Sequence, residues 1–286
     1  MQPLPAYVEP VDTTDPSFAD FYDELPLWSA PFGLLLLERL PMQPGLTVLD
    51  LGAGTGFLTV ELAQRCGPTT TVIAVDPWPS VMQRLRRKLD RLHLQNVRLL
   101  EQDAVGLDLP DASVDLAVSN LGINNFDRPE AVLEMCLRVV KPGGRLVLTT
   151  NLVGHMQEFY DAFRVTLIEV DLADRLTALD AHVRHRATVA SLSTQLSQAG
   201  FEPGHVTTAS FQMRFADGSS LLRHHFIRVG FLPAWRALVP PEALARTFAA
   251  LERRLNTISA AQGGLVLTIP MACVEAVRPA VTRSSS

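Results

Sequence analysis

The chain has 286 residues, 47% of them apolar, with 25 Lys and Arg against 30 acids and a net charge of −5. That length admits one large α/β domain, or a domain with a substantial appendage, and can bury a full core, while the charge balance offers no general footprint for nucleic acid. Cys66, Cys136 and Cys273 lie far apart in apolar patterns, which argues against a disulfide framework or zinc spacing and reads as buried thiols of a reducing cytoplasm.

From the N-terminus, residues 1 to about 14 are rich in proline and read as loose, and Met1–Ala6 lacks the basic start and apolar core of a signal peptide. Asp15 to Leu40 reads as two short helices carrying Tyr22, Trp28 and Phe32 on them or between them. Leu34–Leu37, bracketed by Pro31 and Pro41, is too short to span a membrane, so a cytoplasmic protein without stable membrane insertion is expected.

The next element is the most informative. Val48-Leu49-Asp50-Leu51 runs as an apolar strand into Gly52-Ala53-Gly54-Thr55-Gly56, and a helix is expected from Phe57 to about Cys66. Glycines at alternate positions permit positive φ and bring backbone N–H groups close to a ligand, beside the electropositive start of the helix. A nicotinamide fingerprint would place its final glycine one residue later, where Phe57 stands. Asp50 at the strand end suits an ammonium group better than a diphosphate. The second strand, Thr71–Asp76, ends in a carboxylate placed to accept both hydroxyl protons of a ribose. The third, Val97–Glu101, is followed by Asp103 at the same sheet edge.

Between them, Arg84, Arg86, Arg87, Lys88 and Arg91 lie on a helix whose apolar face is Val81, Leu85, Leu89 and Leu92. Their expected place is a solvated outer face. Strands near 114–119 and 145–151 flank a helix from Arg128 to Val140, stopped by Pro142-Gly143-Gly144. Strands apolar on both faces alternating with helices indicate a parallel sheet covered on both sides.

Residues 45 to 151 resemble the class I S-adenosylmethionine-dependent methyltransferases, nearest the branch of the ubiquinone/menaquinone C-methyltransferases. Asp50-Leu51-Gly52-Ala53-Gly54-Thr55-Gly56 resembles that family's methionine-binding loop, Asp76 its ribose acid and Asp103-Ala104 its adenine pair, with Asp103 facing the exocyclic amine. Ser119-Asn120-Leu121-Gly122-Ile123-Asn124-Asn125-Phe126 looks like the loop bordering the transferred methyl, and Lys141-Pro142-Gly143-Gly144-Arg145 like the turn into strand five. The resemblance implies S-adenosyl-L-methionine as cofactor, held by Tyr22, Trp28, Asp50, Gly52, Ala53, Gly54, Asp76, Pro77, Asp103, Ala104, Asn120 and Leu121, with the N-terminal segment folded over it. It also implies a Rossmann-like α/β fold, doubly wound around a mostly parallel seven-stranded sheet. Pro77-Trp78 departs from the small polar residue usual after the ribose acid; Trp78 either leans over the adenine or staples the following helix.

Beyond Asn151 the readings are helix from His155 to about Leu179, a solvated turn at His182, Arg184, His185 and Arg186, helix from Thr188 to Ala199, and strand from His205 to Phe215. Helices at Ser219–Val229 and Pro241–Ala261 precede a final β-rich run, Leu265–Val277. The resembled fold closes with two antiparallel strands and a short loop, so Ala216 to Gly263 reads as a helical insert. The expected organisation is an N-terminal helical segment over the cofactor (1–44), a core (45–215), an insert capping the acceptor (216–263), and a last strand with tail (264–286).

Methyl transfer from an already activated donor needs alignment and water exclusion more than chemistry from the protein, so the residues identify no catalytic side chain. Acceptor-side candidates are Asn120, Asn124, His155, Arg223, His224, His225 and Arg228, with His224 and His225 on different sides of one helix; no metal site is expected. The apolar insert residues Leu221, Leu222, Phe226, Ile227, Phe231, Leu232 and Trp235 suit a small apolar or amphipathic acceptor, but equally a core or a homodimer surface. The rivals to a methyltransferase are a non-catalytic S-adenosylmethionine-binding partner or sensor and, against the glycine spacing, a nicotinamide-dependent oxidoreductase.

Overall fold

The computed structural model describes residues 5–12, 15, 17–23 and 27–280; the readings for Met1–Leu4 and for the terminal serines lie outside the described residues. Mostly apolar, β-branched runs form β1 (Thr47–Leu51), β2 (Thr71–Val75), β3 (Val97–Leu100), β4 (Val114–Asn120), β5 (Val140–Asn151) and β7 (Leu265–Val277), and a more polar, largely exposed run forms β6 (Glu202–Phe215). They make one sheet in the order β3-β2-β1-β4-β5-β7-β6, with β1 to β5 parallel and β7 antiparallel to β5. Parallel pairing in register puts Asp50 beside Ala74 and Val118. The C-terminal ends of β1, β2 and β4, and with them Asp50, Asp76 and Asn120, therefore share one edge of the sheet.

The helices before β6 are α1 (Phe18–Asp23), α2 (Ala30–Leu37), α3 (Phe57–Arg65), α4 (Pro79–Leu92), α5 (Pro129–Val139), α6 (Gln157–Glu169), α7 (Leu176–Arg184) and α8 (Val189–Gln198). Four more follow it: α9 (Gly218–Arg223), α10 (His225–Gly230), α11 (Leu232–Ala237) and α12 (Leu244–Gln262). By its contacts the chain divides into two units. One comprises the described residues of 16–151, 188–209 and 271–286. Here α4 starts at Pro79, where proline's missing N–H costs nothing, and buries Val81, Met82, Leu85 and Leu89 against Ala19, Ala53 and Ala74. Thr188 and Ser191 cap α8 reciprocally.

The other unit comprises the described residues of 1–15, 152–187 and 210–270. Its core is aromatic: Trp235 stacks on Phe159 at 3.9 Å between ring centres and donates its indole N–H to the Tyr160 hydroxyl at 3.2 Å. Leu221, Leu222, Ile227, Leu232 and Trp235 are at most 1% exposed, so these insert residues are core. Tyr7 donates to Glu252 at 2.8 Å and joins the N-terminal turn to α12.

Several local readings are corrected. Lys141-Pro142-Gly143-Gly144 lies within β5, at a register shift against β4 where the chain bulges. The helix expected over 155–179 is two, parted where Asp171 takes φ +58° and Leu172 turns its N–H back to Leu167 O. His182 and Arg184 are on α7, and His182 Nε2 lies 3.1 Å from the Tyr160 hydroxyl, so the expected turn is confined to His185 and Arg186, with Arg184 and His185 exposed. His224 is extended and separates α9 from α10, so His224 and His225 do not share a helix. All three cysteines are free and buried. Among the described residues no helix is long and apolar enough to cross a membrane, and no cluster of metal-ligating side chains occurs.

Candidate cofactor site

The loop after β1 uses its glycines for different ends. All three have positive φ. A Cβ on Gly52 would lie 3.1 Å from Gly122 Cα, and one on Gly56 2.1 Å from Leu85 Cδ1, so both are set by packing as well as by φ. A Cβ on Gly54 would meet nothing within 4 Å. Packing does not require glycine there; only its φ of +54° does, and the space beside it is open. The expected N–H donors are already engaged: Gly52 and Ala53 donate to Val75 O at 2.9 and 3.0 Å, and Gly54 donates to Asp76 Oδ2 at 2.9 Å. The loop thus fixes Asp76 rather than presenting those three N–H groups outward.

Asp76 is partly buried and also accepts from Trp78 N at 3.0 Å. Burial raises its pKa, opposed by the two backbone donors. Each carboxylate oxygen retains acceptor capacity for a hydroxyl. Tyr22, 40% exposed, stands near enough that the Asp76 charge adds to burial in raising the phenol pKa. Trp78 stacks on Phe18 at 5.4 Å and lies 6.2 Å from Tyr22, so its indole joins α1 to the start of α4. Pro77 is exposed beside them.

Asp50 differs from the expectation of an acid facing the ligand. It is 1% exposed and accepts from Thr59 Oγ1 of α3 at 2.6 Å. Burial, with a further contribution from the Asp76 charge and against the Thr59 bond, pushes its pKa up to about 7. Asp103 is exposed and caps the turn Ala104–Gly106 by accepting from Val105 N at 2.7 Å, above the buried Ala104.

At the ends of β4 and β5 lies a run of neutral polar groups. Asn120 donates to Ser29 O at 3.2 Å and accepts from Thr149 Oγ1 at 2.7 Å. Leu121 takes φ +66° and donates its N–H to Thr149 O, turning the chain into Gly122. Asn124 accepts from Thr150 Oγ1 and donates to Asn151 Oδ1 at 2.9 Å. Gly33 of α2 passes so close that a Cβ would lie 2.4 Å from the Phe57 ring. Trp28 packs on Phe32 at 5.5 Å.

The basic face of α4 is not simply solvated. Arg84 pairs with Asp20 and Asp23 of α1 at 3.3 and 3.0 Å, Arg87 with Asp20 at 3.1 Å, and Lys88 with Asp23; only Arg86 and Arg91 follow the expectation. Sequence reading missed these partners, although Asp20 and Asp23 stand three apart and Arg84, Arg87 and Lys88 three and four apart, the spacings that share a helix face.

The remaining candidates, His155, Arg223, His224, His225 and Arg228, all lie in the unit that contains 152–187 and 210–270. His155 is 2% exposed in the helical unit, 5.2 Å from the Phe231 ring, and burial, then the charges of Arg186 and His182, pushes its pKa down to about 3. A neutral imidazole so resistant to protonation is a poor base at neutral pH. Arg223 pairs with Glu252 at 2.5 Å and covers the Tyr7 ring; His224 packs on Phe215. Arg228 and His225 are partly buried in α10.

A family model described as a methyltransferase domain matches residues 49–148. The ubiquinone/menaquinone biosynthesis C-methyltransferase of Salmonella arizonae is 32% identical over 168 residues, 55% of this chain and 67% of that protein. The chain belongs to the class I S-adenosylmethionine-dependent methyltransferases. This methyltransferase also shares its fold with a SAM-dependent methyltransferase from Aquifex aeolicus (TM-score 0.51, 22% identity, 68% of this chain and 92% of that one). The YcgJ protein of Bacillus subtilis aligns over 87% of this chain and 98% of its own, with TM-score 0.57 and 14% identity. The methyltransferase's cofactor is S-adenosyl-L-methionine. Open space at Gly54 beside a carboxylate fixed by two backbone donors fits the nucleoside of that cofactor.

Proposed function

We propose that the methyltransferase acts on a small apolar or amphipathic acceptor, and that Asp76 accepts the ribose hydroxyls while Asp103 and Ala104 receive the adenine. Tyr22, Trp28 and Pro77 wall that site, Gly52, Ala53 and Gly54 form its floor over Asp50, and Asn120 and Leu121 border the methyl. The observation carrying the donor assignment is Asp76, fixed by Gly54 N and Trp78 N beside the open face of Gly54.

The bound cofactor supplies a sulfonium methyl open to in-line displacement. What this chain adds is alignment. The amide of Asn120, fixed by Thr149, and that of Asn124, fixed by Thr150 and Asn151, form a preorganised neutral edge that orients an acceptor without taking its proton. The acceptor class rests on the likeness to relatives named for ubiquinone and menaquinone biosynthesis.

Purified enzyme given S-adenosylmethionine tritiated on its methyl, with either a lipid extract or aqueous metabolites, should send label into the organic-soluble product. Label confined to aqueous products would overturn the acceptor class. For the adenine, an inosine-type cofactor analogue should bind wild type poorly yet lose little more in Asp103→Asn, which keeps the cap acceptor. Additive losses would remove Asp103 from that role.

A further inference from the structure

The geometry points to Lys88 as a positioning residue that ties α1 to the glycine loop, so that bound cofactor leaves only when this tie opens. The inference rests on the donor-site assignment above.

Thr55 stands between Gly54 and Gly56, and glycine neighbours leave its peptide unusually free to rotate. An outside group therefore has to fix its carbonyl. Lys88 Nζ does so, donating to Thr55 O at 2.8 Å while pairing with the Asp23 carboxylate. Asp23 is 11% exposed in its side chain and also accepts from Arg84 Nε at 3.0 Å. Burial alone would raise the Asp23 pKa, yet bonds from Lys88, Thr55 and Arg84 hold it below the usual carboxylate range.

The same short helix reaches the other side of the site. Phe18 stacks on Trp78, whose N–H holds Asp76, and Tyr22 stands beside Asp76. The Lys88 ammonium, alongside the bond from Thr55 to Asp23, thus joins the loop below the site to the helix that presents Tyr22. Arg87 gives an internal control, because it pairs with Asp20 of α1 at 3.1 Å, is 54% exposed, and is bonded to nothing in the loop. Exposed pairs of that kind contribute little, whereas a half-buried ammonium shared by a carboxylate and a carbonyl contributes more.

The test loads the full-length protein with S-adenosylmethionine tritiated on its methyl and chases it with excess unlabelled S-adenosylhomocysteine. Lys88→Met should release label about tenfold faster than wild type, and Arg87→Met within about twofold of it. Lys88→Arg should recover part of the loss. Raising ionic strength should speed release from wild type and leave Lys88→Met nearly unmoved. Release from Lys88→Met within twofold of wild type overturns the proposal, as does an equal acceleration in Arg87→Met, which would mean simple anchoring of α1. Should Lys88→Met not fold, Asp23→Asn keeps an acceptor but loses the charge; about threefold faster release supports the tie and an unchanged rate overturns it. If wild type retains no label, the donor-site reading fails and the proposal falls with it.

Discussion

The hydroxyl of Thr59, on the first turn of α3, donates to the buried carboxylate of Asp50 at 2.6 Å. This bond offsets only part of the cost of burying a charge, and Asp50 reaches a pKa of about 7. In the unfolded chain the same group ionises at about 3.8. The folded state therefore holds the proton longer, and stability is lost as pH rises from about 4 through about 7. Asp50→Asn removes this dependence. Its melting temperature relative to wild type should climb across that window by the equivalent of about 2–4 kcal/mol, at roughly 1.4 kcal/mol per pKa unit. Parallel melting curves from pH 4 to pH 8 would rule it out.

Asp76→Ala removes the acceptor for two backbone N–H groups and, in the proposed role, for both ribose hydroxyls. Affinity for S-adenosylhomocysteine should fall by about 10- to 150-fold, from roughly 1.5–3 kcal/mol of charge-assisted hydrogen bonding. Calorimetric titration of a variant with native circular dichroism measures it, and an unchanged affinity removes Asp76 from the site.

Gly54→Ala and Gly56→Ala should separate binding from stability. Both place a side chain at positive φ, costing roughly 1–2 kcal/mol. At Gly56 the methyl would also meet Leu85 Cδ1 at 2.1 Å, adding roughly 1–3 kcal/mol of overpacking, whereas at Gly54 it enters open space. We expect Gly56→Ala to lower the denaturation midpoint more, and Gly54→Ala to weaken cofactor binding more. The opposite ranking in paired denaturation and titration experiments would contradict these roles.

Replacing Ala216–Gly263 by a short turn should abolish soluble, monomeric protein. It strips Trp235 from Phe159 and removes α12, which packs on α6, leaving Phe159 and Phe163 exposed. Size-exclusion chromatography showing a folded monomer after the deletion would mean that α6 finds other cover.

The sequence by itself determined the sheet and the loop. Strands buried on both faces can only be apolar runs, and the run from Val48 to Gly56 joins strand periodicity to glycines at alternate positions, a local pattern needing no partner to be read. The positions of Asp76 and Asp103, just past the ends of β2 and β3, were legible because a parallel sheet brings strand ends to one edge. The tertiary structure alone decided where side chains spend their bonds. Asp50 turned under the loop to Thr59, the loop N–H groups went to Val75 and Asp76, and the basic face of α4 found Asp20 and Asp23 some 60 residues away (from Asp23 to Lys88, 65 positions). The insert's aromatics went to a core with α6. Periodicity reports which face of an element is apolar, but burial and ion pairing depend on what packs against that face, and those partners are distant in the chain.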